Sequence, residues 1–173
     1  MCYRARAEEA KSQNDMQARK ATGEDAEAIA AIYNQGIEDR AATFETRPRT
    51  AADVRWGFDA VHPIVVVEDA GALLAFASTS VYRPRDCYAG VAEFSVYTAR
   101  AARRRGAGRL ALQALIDEAR SSGFWKLVSR VFPENTASLA LLGSLGFREV
   151  GVYRRHGQLD GVWRDVVIVE RLL

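Results

Sequence analysis

The sequence predicts an α/β fold built on one mixed sheet rather than on a doubly wound parallel sheet. Two observations support this. Strand-like and helix-like segments alternate along the 173 residues, and glycine turns at 69–71 and 159–161 join strand-like segments into hairpins near both ends. The hydrophobic content of 49% is ordinary for one domain with a buried core.

The first half of the chain contains three predicted strands and two predicted helices. Ala26, Ile29, Ala30 and Tyr33 have the spacing of an amphipathic helix. Pro48 disfavours helical structure in its own segment. A short second helix follows, which Thr50 or Asp53 can cap. In order, the elements are a strand at 17–21, a helix from 23 or 24 to 38, a turn-like segment at 39–50, a helix ending near 60, and strands at 62–68 and 72–82. Residues 1–15 are polar and lack periodicity, so we expect a flexible extension followed by a single domain at 16–173.

The second half alternates more regularly. Leu112, Leu115, Ile116 and Ala119 mark a long helix. In order, the elements are a strand at 89–98, this helix closed by Gly123, a strand at 126–132 stopped by Pro133, a helix at 135–145 ended by Gly146, and strands at 148–155 and 162–172.

Composition disfavours several classes of function. The net charge of +2 gives little reason to expect a nucleic-acid partner, and no apolar run approaches the roughly 18 residues that a membrane span needs. The polar start does not resemble a secretory signal. Two cysteines and two isolated histidines show neither a disulfide framework nor metal-ligand spacing. We therefore expect a cytoplasmic protein without a metal.

The junction between the strand at 89–98 and the long helix is rich in arginine and glycine. It reads Arg103-Arg104-Arg105-Gly106-Ala107-Gly108. Glycines at a helix start let backbone amides approach a ligand, and the helix dipole and nearby arginines favour a pyrophosphate. The pattern is neither a Walker loop nor a dinucleotide-binding GxGxxG motif. Spacing alone also allows glycines that only ease a turn, beside solvated arginines.

A family resemblance favours the pyrophosphate interpretation. The pattern Arg103-x-x-Gly106-x-Gly108 resembles the pyrophosphate loop of the GNAT superfamily of N-acetyltransferases. The segments 135–138 (Asn-Thr-Ala-Ser) and 145–147 (Leu-Gly-Phe) resemble its second motif, and the resemblance spans about residues 16–173. It implies a mostly antiparallel sheet with a splayed strand pair and helices on both faces. It also implies acetyl-CoA as co-substrate, bound by Val96, Tyr97, Thr98, Arg103, Arg104, Arg105, Gly106, Ala107, Gly108, Arg109, Asn135 and Ser138.

Within this superfamily, the sequence resembles the phosphinothricin and arsinothricin N-acetyltransferase branch. Its residue patterns are more similar to those of the arsinothricin enzymes. The segments that carry it are 32–34, 42–45, 82–85, 92–97 and 161–166. This branch implies acetylation of the α-amine of a small, anionic, glutamate-like antibiotic such as arsinothricin or phosphinothricin, with methionine sulfoximine or sulfone as analogues. Antibiotic resistance and a homodimer are implied as well.

Glu93 is the candidate general base. An amine must lose a proton before it attacks a thioester, and strand alternation places this carboxylate with Ser95 and Tyr97 on one face of its strand. From the residues alone, an edge position or a structural ion pair with an arginine remains possible. The resemblance places the family's glutamate at Glu93, and its oxyanion-stabilising amides at Val96 and Tyr97.

The acid for the leaving thiolate has no clear candidate. The resemblance places this role on the helix at 135–145, where the corresponding residue is Leu142. Either another group, such as Tyr97 or water, protonates the thiolate, or the step needs no acid.

Arg83 and Arg85 are the candidate clamp for an anionic substrate. They alternate around Pro84 and could bind a carboxylate bidentately, or they could be solvated loop residues. In the family, Phe44 and Glu45 belong to a loop over the same pocket, although Phe44 could simply pack. Two rival functions remain open: acetylation of another small-molecule or protein amine, and non-catalytic sensing of acyl-CoA.

Overall fold

A seven-stranded sheet forms the centre of the computed structural model, which describes residues 15–55 and 57–173. The strands are β1 (Gln17–Lys20), β2 (Ile64–Asp69), β3 (Ala72–Val81), β4 (Val91–Thr98), β5 (Lys126–Val131), β6 (Arg148–Leu159) and β7 (Val162–Leu172). The helices are α1 (Ala26–Asp39), α2 (Ala51–Arg55), α3 (Ala107–Ser121) and α4 (Thr136–Ser144). Along the sheet the order is β1-β2-β3-β4-β5-β7-β6.

The middle of the sheet is splayed. All neighbouring strands pair antiparallel except β4 and β5, which pair parallel only between residues 91–93 and 126–128. Beyond Glu93 no backbone pair joins these two strands in the described parts of the chain. The predicted mixed, mostly antiparallel sheet with a splayed strand pair is therefore confirmed.

Helices cover both faces of the sheet, as predicted. On one face α3 places Leu112, Leu115 and Ile116, all fully buried, in a core with Ala92 and Phe94 of β4. On the other face α1 contributes Ile29 and Ile32 to a second core cluster with Val66 and Phe76. Successive strand residues therefore serve opposite cores, which is the alternation expected of a sheet covered on both sides.

Two predicted boundaries were wrong because local side-chain bonds and bulges interrupt the pattern. Helix α2 ends at Arg55 rather than near residue 60. The Asp59 carboxylate accepts hydrogen bonds from the backbone amides of Val61 and His62, which favours a turn over helix. Strand β6 continues to Leu159 instead of stopping at residue 155, because its pairing with β7 shifts between Tyr153 and Gly157 and then resumes.

The predicted flexible extension at 1–15 lies outside the described residues except for Asp15. In the parts of the chain that the structure describes, no helix has both the length and the apolarity needed to cross a membrane.

A buried carboxylate connects β1 to the start of α1. The Asp25 oxygens accept two hydrogen bonds from the Arg19 guanidinium, both at 2.8 Å, and one from the backbone amide of Thr22 at 2.7 Å. The Asp25 side chain is only 9% exposed. The Arg19 guanidinium lowers the pKa of Asp25 below its ordinary value, so the carboxyl remains ionised.

We expect Asp25→Asn to destabilise the protein by about 1–3 kcal/mol, because it removes charge-assisted hydrogen bonds to Arg19. Since the pKa is lowered in the folded state, this contribution is present above the unfolded aspartate pKa of about 3.9 and is lost as pH falls further. Denaturant unfolding at pH 7 and at pH 3 measures both effects. Asp117→Asn, at an exposed position of α3, is the matched control. An equal loss at both pH values would contradict the ionic role.

Candidate active site

A cleft of about 440 Å³ lies where β4 and β5 diverge. Its walls come from these two strands, from α1 and α4, and from the loop that follows α1. The lining residues are Tyr33, Ala42, Thr43, Phe44, Glu45, Ser80, Glu93, Phe94, Ser95, Val96, Tyr97, Ser129, Arg130, Val131, Phe132, Asn135, Ser138, Leu142 and Val166. The structure thus brings Glu93, Phe44, Glu45, Val96, Tyr97, Asn135 and Ser138 of the predicted site residues around one cavity.

The cleft connects the two faces of the sheet. Val96 packs with the α3 and α4 core, which includes Leu142, whereas Tyr97 packs with Tyr33 of α1 on the opposite face. Both sets of residues line the same cavity. Because the strands separate here, groups approaching from opposite faces of the sheet can meet between them.

Glu93 lies at the last residue of the parallel pairing and faces the cleft. Its Oε2 accepts a hydrogen bond from Nη2 of Arg130 at 2.5 Å, and its side chain remains 30% exposed. The structure therefore combines two of the interpretations left open by the sequence, an ion pair with an arginine and a carboxylate that a ligand can reach. Arg130 itself was missed. The signal that could have found it is a charged residue within a predicted strand, although Lys126 and Ser129 also make this strand polar.

Asn34 positions the loop over the cleft. Its Nδ2 donates to the Arg49 carbonyl at 2.9 Å, and its Oδ1 accepts from the Arg49 amide at 2.7 Å. The Arg49 guanidinium in turn forms an ion pair with Glu45 at 3.0 Å. These contacts anchor the loop to α1 on the side where Glu45 lines the cleft.

Phe44 both packs and lines the cavity. Its ring meets Phe132 edge to face with centroids 4.9 Å apart. It also lies against Gly157, where an added Cβ would approach the ring to 2.8 Å. The bulged part of β6 therefore needs a glycine here to accommodate the aromatic wall of the cleft.

Tyr97 is poorly placed to act as an acid. Its ring stacks on Phe76 at 5.4 Å and lies 4.8 Å from Tyr33. Burial raises the pKa of Tyr97 well above its ordinary value, so the hydroxyl holds its proton more firmly than a free tyrosine. Leu142, where the sequence resemblance places the acid, is 2% exposed and apolar. Leu142 has no proton to donate, and Tyr97 holds its proton too firmly to serve as the acid.

The start of α3 has the backbone shape of an anion site. Gly106 precedes the helix with φ at 91°, a left-handed conformation that favours glycine, and no side chain caps the first turn. Gly108 packs directly against the end of β4. A Cβ added to Gly108 would lie only 2.7 Å from Oγ1 of Thr98. Strand end and helix start thus meet without an intervening side chain, and the first-turn amides remain available to a ligand.

Three of the arginines around this turn have polar partners in the described parts of the chain. Arg103 forms an ion pair with Asp39 at 2.5 Å, Arg105 lies 3.5 Å from Asp69, and Arg109 donates to Oγ of Ser144 at 2.6 Å. Arg100 and Arg103 lower the pKa of Asp39, which keeps it ionised as their shared partner. Ala107 is buried at the first position of α3, and Arg104 is exposed with φ at 62°.

Asn135 joins α4 to the loop over the cleft. Its Oδ1 accepts from the amide of Ser138 at 3.2 Å and so caps the helix, while its Nδ2 donates to the carbonyl of Ala41 at 3.2 Å. A single side chain therefore fixes both the start of α4 and the segment that leads to Phe44.

Arg83 and Arg85 are not brought together with Glu93. Both are exposed and line a separate, open concavity of about 340 Å³ with Tyr82, Pro84 and Tyr88. The Arg83 guanidinium lies over the Tyr82 ring, 5.4 Å from its centroid. Among the described residues, no group of three or more His, Cys, Asp or Glu side chains could hold a metal ion.

A splayed β4–β5 pair, a glycine turn before α3 and an asparagine-capped α4 are arranged as the sequence resemblance implied. Residues 29–147 match the model of the Acetyltransferase (GNAT) family. The chain belongs to the GNAT family of acetyltransferases. It is therefore an N-acetyltransferase by family, and the prediction of this enzyme class is confirmed.

Similar GNAT proteins include enzymes that modify amino acid analogues. A phosphinothricin N-acetyltransferase from Alcaligenes faecalis is 36% identical over 87% of this chain and 79% of its own length. An L-methionine sulfoximine/L-methionine sulfone acetyltransferase from Pseudomonas paraeruginosa is 35% identical over 82% of this chain and 86% of its own. The predicted resemblance to the phosphinothricin N-acetyltransferases is thereby confirmed.

The fold likewise matches solved structures. A GNAT superfamily phosphinothricin acetyltransferase from Sinorhizobium meliloti, in complex with acetyl-CoA, superposes with a TM-score of 0.85 at 28% identity. The match covers 92% of this chain and 89% of that one.

Proposed function

We propose that this GNAT protein transfers an acetyl group from acetyl-CoA to the α-amine of a small, anionic, glutamate-like amino acid antibiotic and so confers resistance to it. The observation that carries the proposal is the position of Glu93. Its carboxylate faces a cleft in the splayed part of the sheet, where it can serve as a proton acceptor for a bound amine.

The start of α3 fits the pyrophosphate of acetyl-CoA. Gly108 leaves no side chain between Thr98 and the first-turn amides, and Arg103, Arg104, Arg105 and Arg109 add positive charge around them. The proposed contacts continue along Val96, Tyr97 and Thr98 of β4 and along Asn135 and Ser138 at the start of α4. When bound, acetyl-CoA supplies a thioester carbonyl that an amine can attack.

Glu93 performs the proton transfer in this proposal. It accepts a proton from the amine, directly or through water, so that the nitrogen presents its lone pair. The segment 136–144 contains neither tyrosine nor histidine, and Tyr97 holds its proton firmly. We therefore assign protonation of the leaving thiolate to solvent water.

Several features support an amino acid substrate. The cleft volume of about 440 Å³ suits a small molecule, and relatives at 35–36% identity are named for phosphinothricin and for methionine sulfoximine or sulfone. Arsinothricin belongs to the same chemical class. A clamp by Arg83 and Arg85 remains a prediction; both residues follow the end of β3, the strand that carries Ser80 of the cleft lining.

The edge of the sheet supports the proposed homodimer. Strand β6 is an edge strand of 12 residues, and apolar side chains on it and on β7 are about half exposed, namely Val150, Val152, Tyr153, Val162 and Trp163. Long apolar edges of this kind are usually covered in native proteins.

The experiment is a coenzyme A release assay with acetyl-CoA. The substrates compared are arsinothricin, phosphinothricin, methionine sulfone, methionine sulfoximine, free glutamate and a short peptide with a free N-terminus. We expect turnover of the arsenic, phosphorus or sulfone analogues and weak or no turnover of the peptide. Turnover of the peptide alone would favour a protein amine as substrate, and no turnover of any amine would favour an acyl-CoA sensor.

A further inference from the structure

Gly157 of β6 lies directly against the aromatic wall of the cleft. A Cβ added to Gly157 would approach three carbons of the Phe44 ring, at 2.8, 3.0 and 3.2 Å. The φ angle of Gly157 lies outside the left-handed region, so the backbone at this position also suits an L side chain. The contact with the ring, and not the backbone conformation, is therefore what requires a glycine here.

The Phe44 ring has little freedom to move except toward the cleft. Phe132, which meets it edge to face, is only 6% exposed and packs with Leu159 and Val166. Gly157 lies against another side of the ring. The Phe44 side chain is half-buried and also lines the cleft. A larger residue in place of Gly157 would therefore push the ring into the space that a substrate occupies.

The backbone that carries Phe44 is held on both sides of the ring. Before it, the Ala41 carbonyl accepts a hydrogen bond from Nδ2 of Asn135 at 3.2 Å. After it, both the amide and the carbonyl of Arg49 bind the Asn34 side chain, at 2.7 and 2.9 Å. Because these bonds restrain the loop as a whole, a contact from β6 acts on the ring rather than on the loop backbone.

The pairing of β6 with β7 fixes the place of Gly157. Residues 154–156 oppose only Asp165 of β7, and the pairing resumes with Gly157 opposite Arg164. The Asp165 carboxylate accepts a hydrogen bond from the Arg155 amide at 2.7 Å and so holds this bulge from the neighbouring strand. The register of the last two strands thus brings a residue without a side chain to the wall of the cleft.

We infer that Gly157 is a positioning residue that sets how large a substrate side chain the cleft accepts, because it determines where the Phe44 ring lies. This inference rests on the proposed function and concerns the size of the substrate alone. Binding of the anionic group by Arg83 and Arg85 stays as proposed. Glu93 and Phe44 line the same cleft, so an amine bound at Glu93 carries its side chain past this wall.

The test compares methionine sulfoximine with its S-butyl homologue. The two compounds share the α-amino acid and the sulfoximine group and differ only in the length of the S-alkyl chain. Each is measured as a competitor of the best amino acid substrate of the panel above, so an inhibition constant is obtained whether or not the compound is itself acetylated. We expect the wild type to favour the S-methyl compound by about 10-fold or more, because a hydrophobic wall discriminates against added methylene groups.

Two substitutions should change this preference in opposite directions. Gly157→Ala should raise it by about 5-fold or more, because the displaced ring leaves less room for the longer chain. Phe44→Leu should lower it, since leucine is smaller than the ring. In the double variant the preference should fall back to the wild-type value or below, because the added methyl group no longer meets a ring.

The ratio of the two inhibition constants removes the effects common to both compounds. A merely structural role for Gly157 would weaken both competitors equally and leave the ratio unchanged, and that result would overturn the inference. Equal inhibition by the two compounds in the wild type would overturn it as well. Gly151→Ala is the matched control on the same strand, since a Cβ on Gly151 meets nothing within 4 Å. It should retain the wild-type ratio.

The two levels of proposal fail in different ways. Turnover of amino acids together with a wild-type ratio in Gly157→Ala overturns only the role of Gly157. The same holds if neither sulfoximine competes with an amino acid that the enzyme does acetylate, since the cleft would then not admit the side chains that the wall is inferred to select. Turnover of none of the amino acids by the wild type overturns the proposed function, and the inference with it.

Discussion

Glu93→Gln is expected to lower kcat by about 100- to 10,000-fold, the range in which a general base contributes to catalysis. Glutamine keeps the shape of glutamate and can still accept the hydrogen bond from Arg130, but it cannot take a proton from the amine. The KM for acetyl-CoA should therefore change little, because Glu93 lies away from the start of α3. Initial rates with both substrates varied measure the two quantities.

The control for this substitution is Glu118→Gln, which changes a glutamate of α3 that pairs with Lys20 outside the cleft. Thermal unfolding of both variants shows whether the fold is retained. If Glu93→Gln kept more than about a third of the wild-type kcat, Glu93 would be a structural partner of Arg130 and the base would have to be sought elsewhere.

The elements that the sequence predicts best are those specified by neighbours along the chain. Helix α4 begins after Asn135, whose side chain caps it, and Gly146 follows it with φ at 80°. Both signals lie within a few residues of the helix ends. The same holds for the face of β4 that carries Glu93, because strand alternation is a local property.

The contacts that the sequence could not supply join residues far apart in the chain. The ion pair of Glu93 with Arg130 spans 37 positions and depends on which strands are neighbours and in which register. The hydrogen bond from Arg103 to Asp39 joins residues 64 positions apart. It fixes the side chain of an arginine for which the motif alone allowed both a solvated and a ligand-bound state.

The position of Arg83 and Arg85 was also beyond local reasoning. The sequence places them at the end of the predicted strand just before that of Glu93, and in the structure these two strands, β3 and β4, pair antiparallel. Both arginines lie beyond the end of β3 at Val81, however, and line a concavity with Tyr82, Pro84 and Tyr88. Adjacent strands in a sheet do not ensure that the loops beyond their ends face one cavity.

Gly108→Ala is expected to raise the KM for acetyl-CoA by about 10-fold or more. The new Cβ would lie 2.7 Å from Oγ1 of Thr98, and the short, branched threonine side chain cannot move aside without shifting the strand or the helix. Overpacking of this kind costs about 1–3 kcal/mol, which corresponds to roughly 5- to 150-fold in an equilibrium constant. The displacement would move the first-turn amides of α3 away from the proposed pyrophosphate position.

A second substitution distinguishes this steric cause from any other effect of the alanine. Thr98→Ala combined with Gly108→Ala removes the clashing oxygen, so the double variant should recover most of the acetyl-CoA affinity of Thr98→Ala alone.

Gly143→Ala is the matched control, since a Cβ on this glycine of α4 meets nothing within 4 Å. It should leave the KM unchanged and stabilise the fold by about 0.5–1 kcal/mol, because alanine is the better helix former. If the double variant stayed as weak as Gly108→Ala, the contact between Thr98 and Gly108 would not be what holds the helix start against β4.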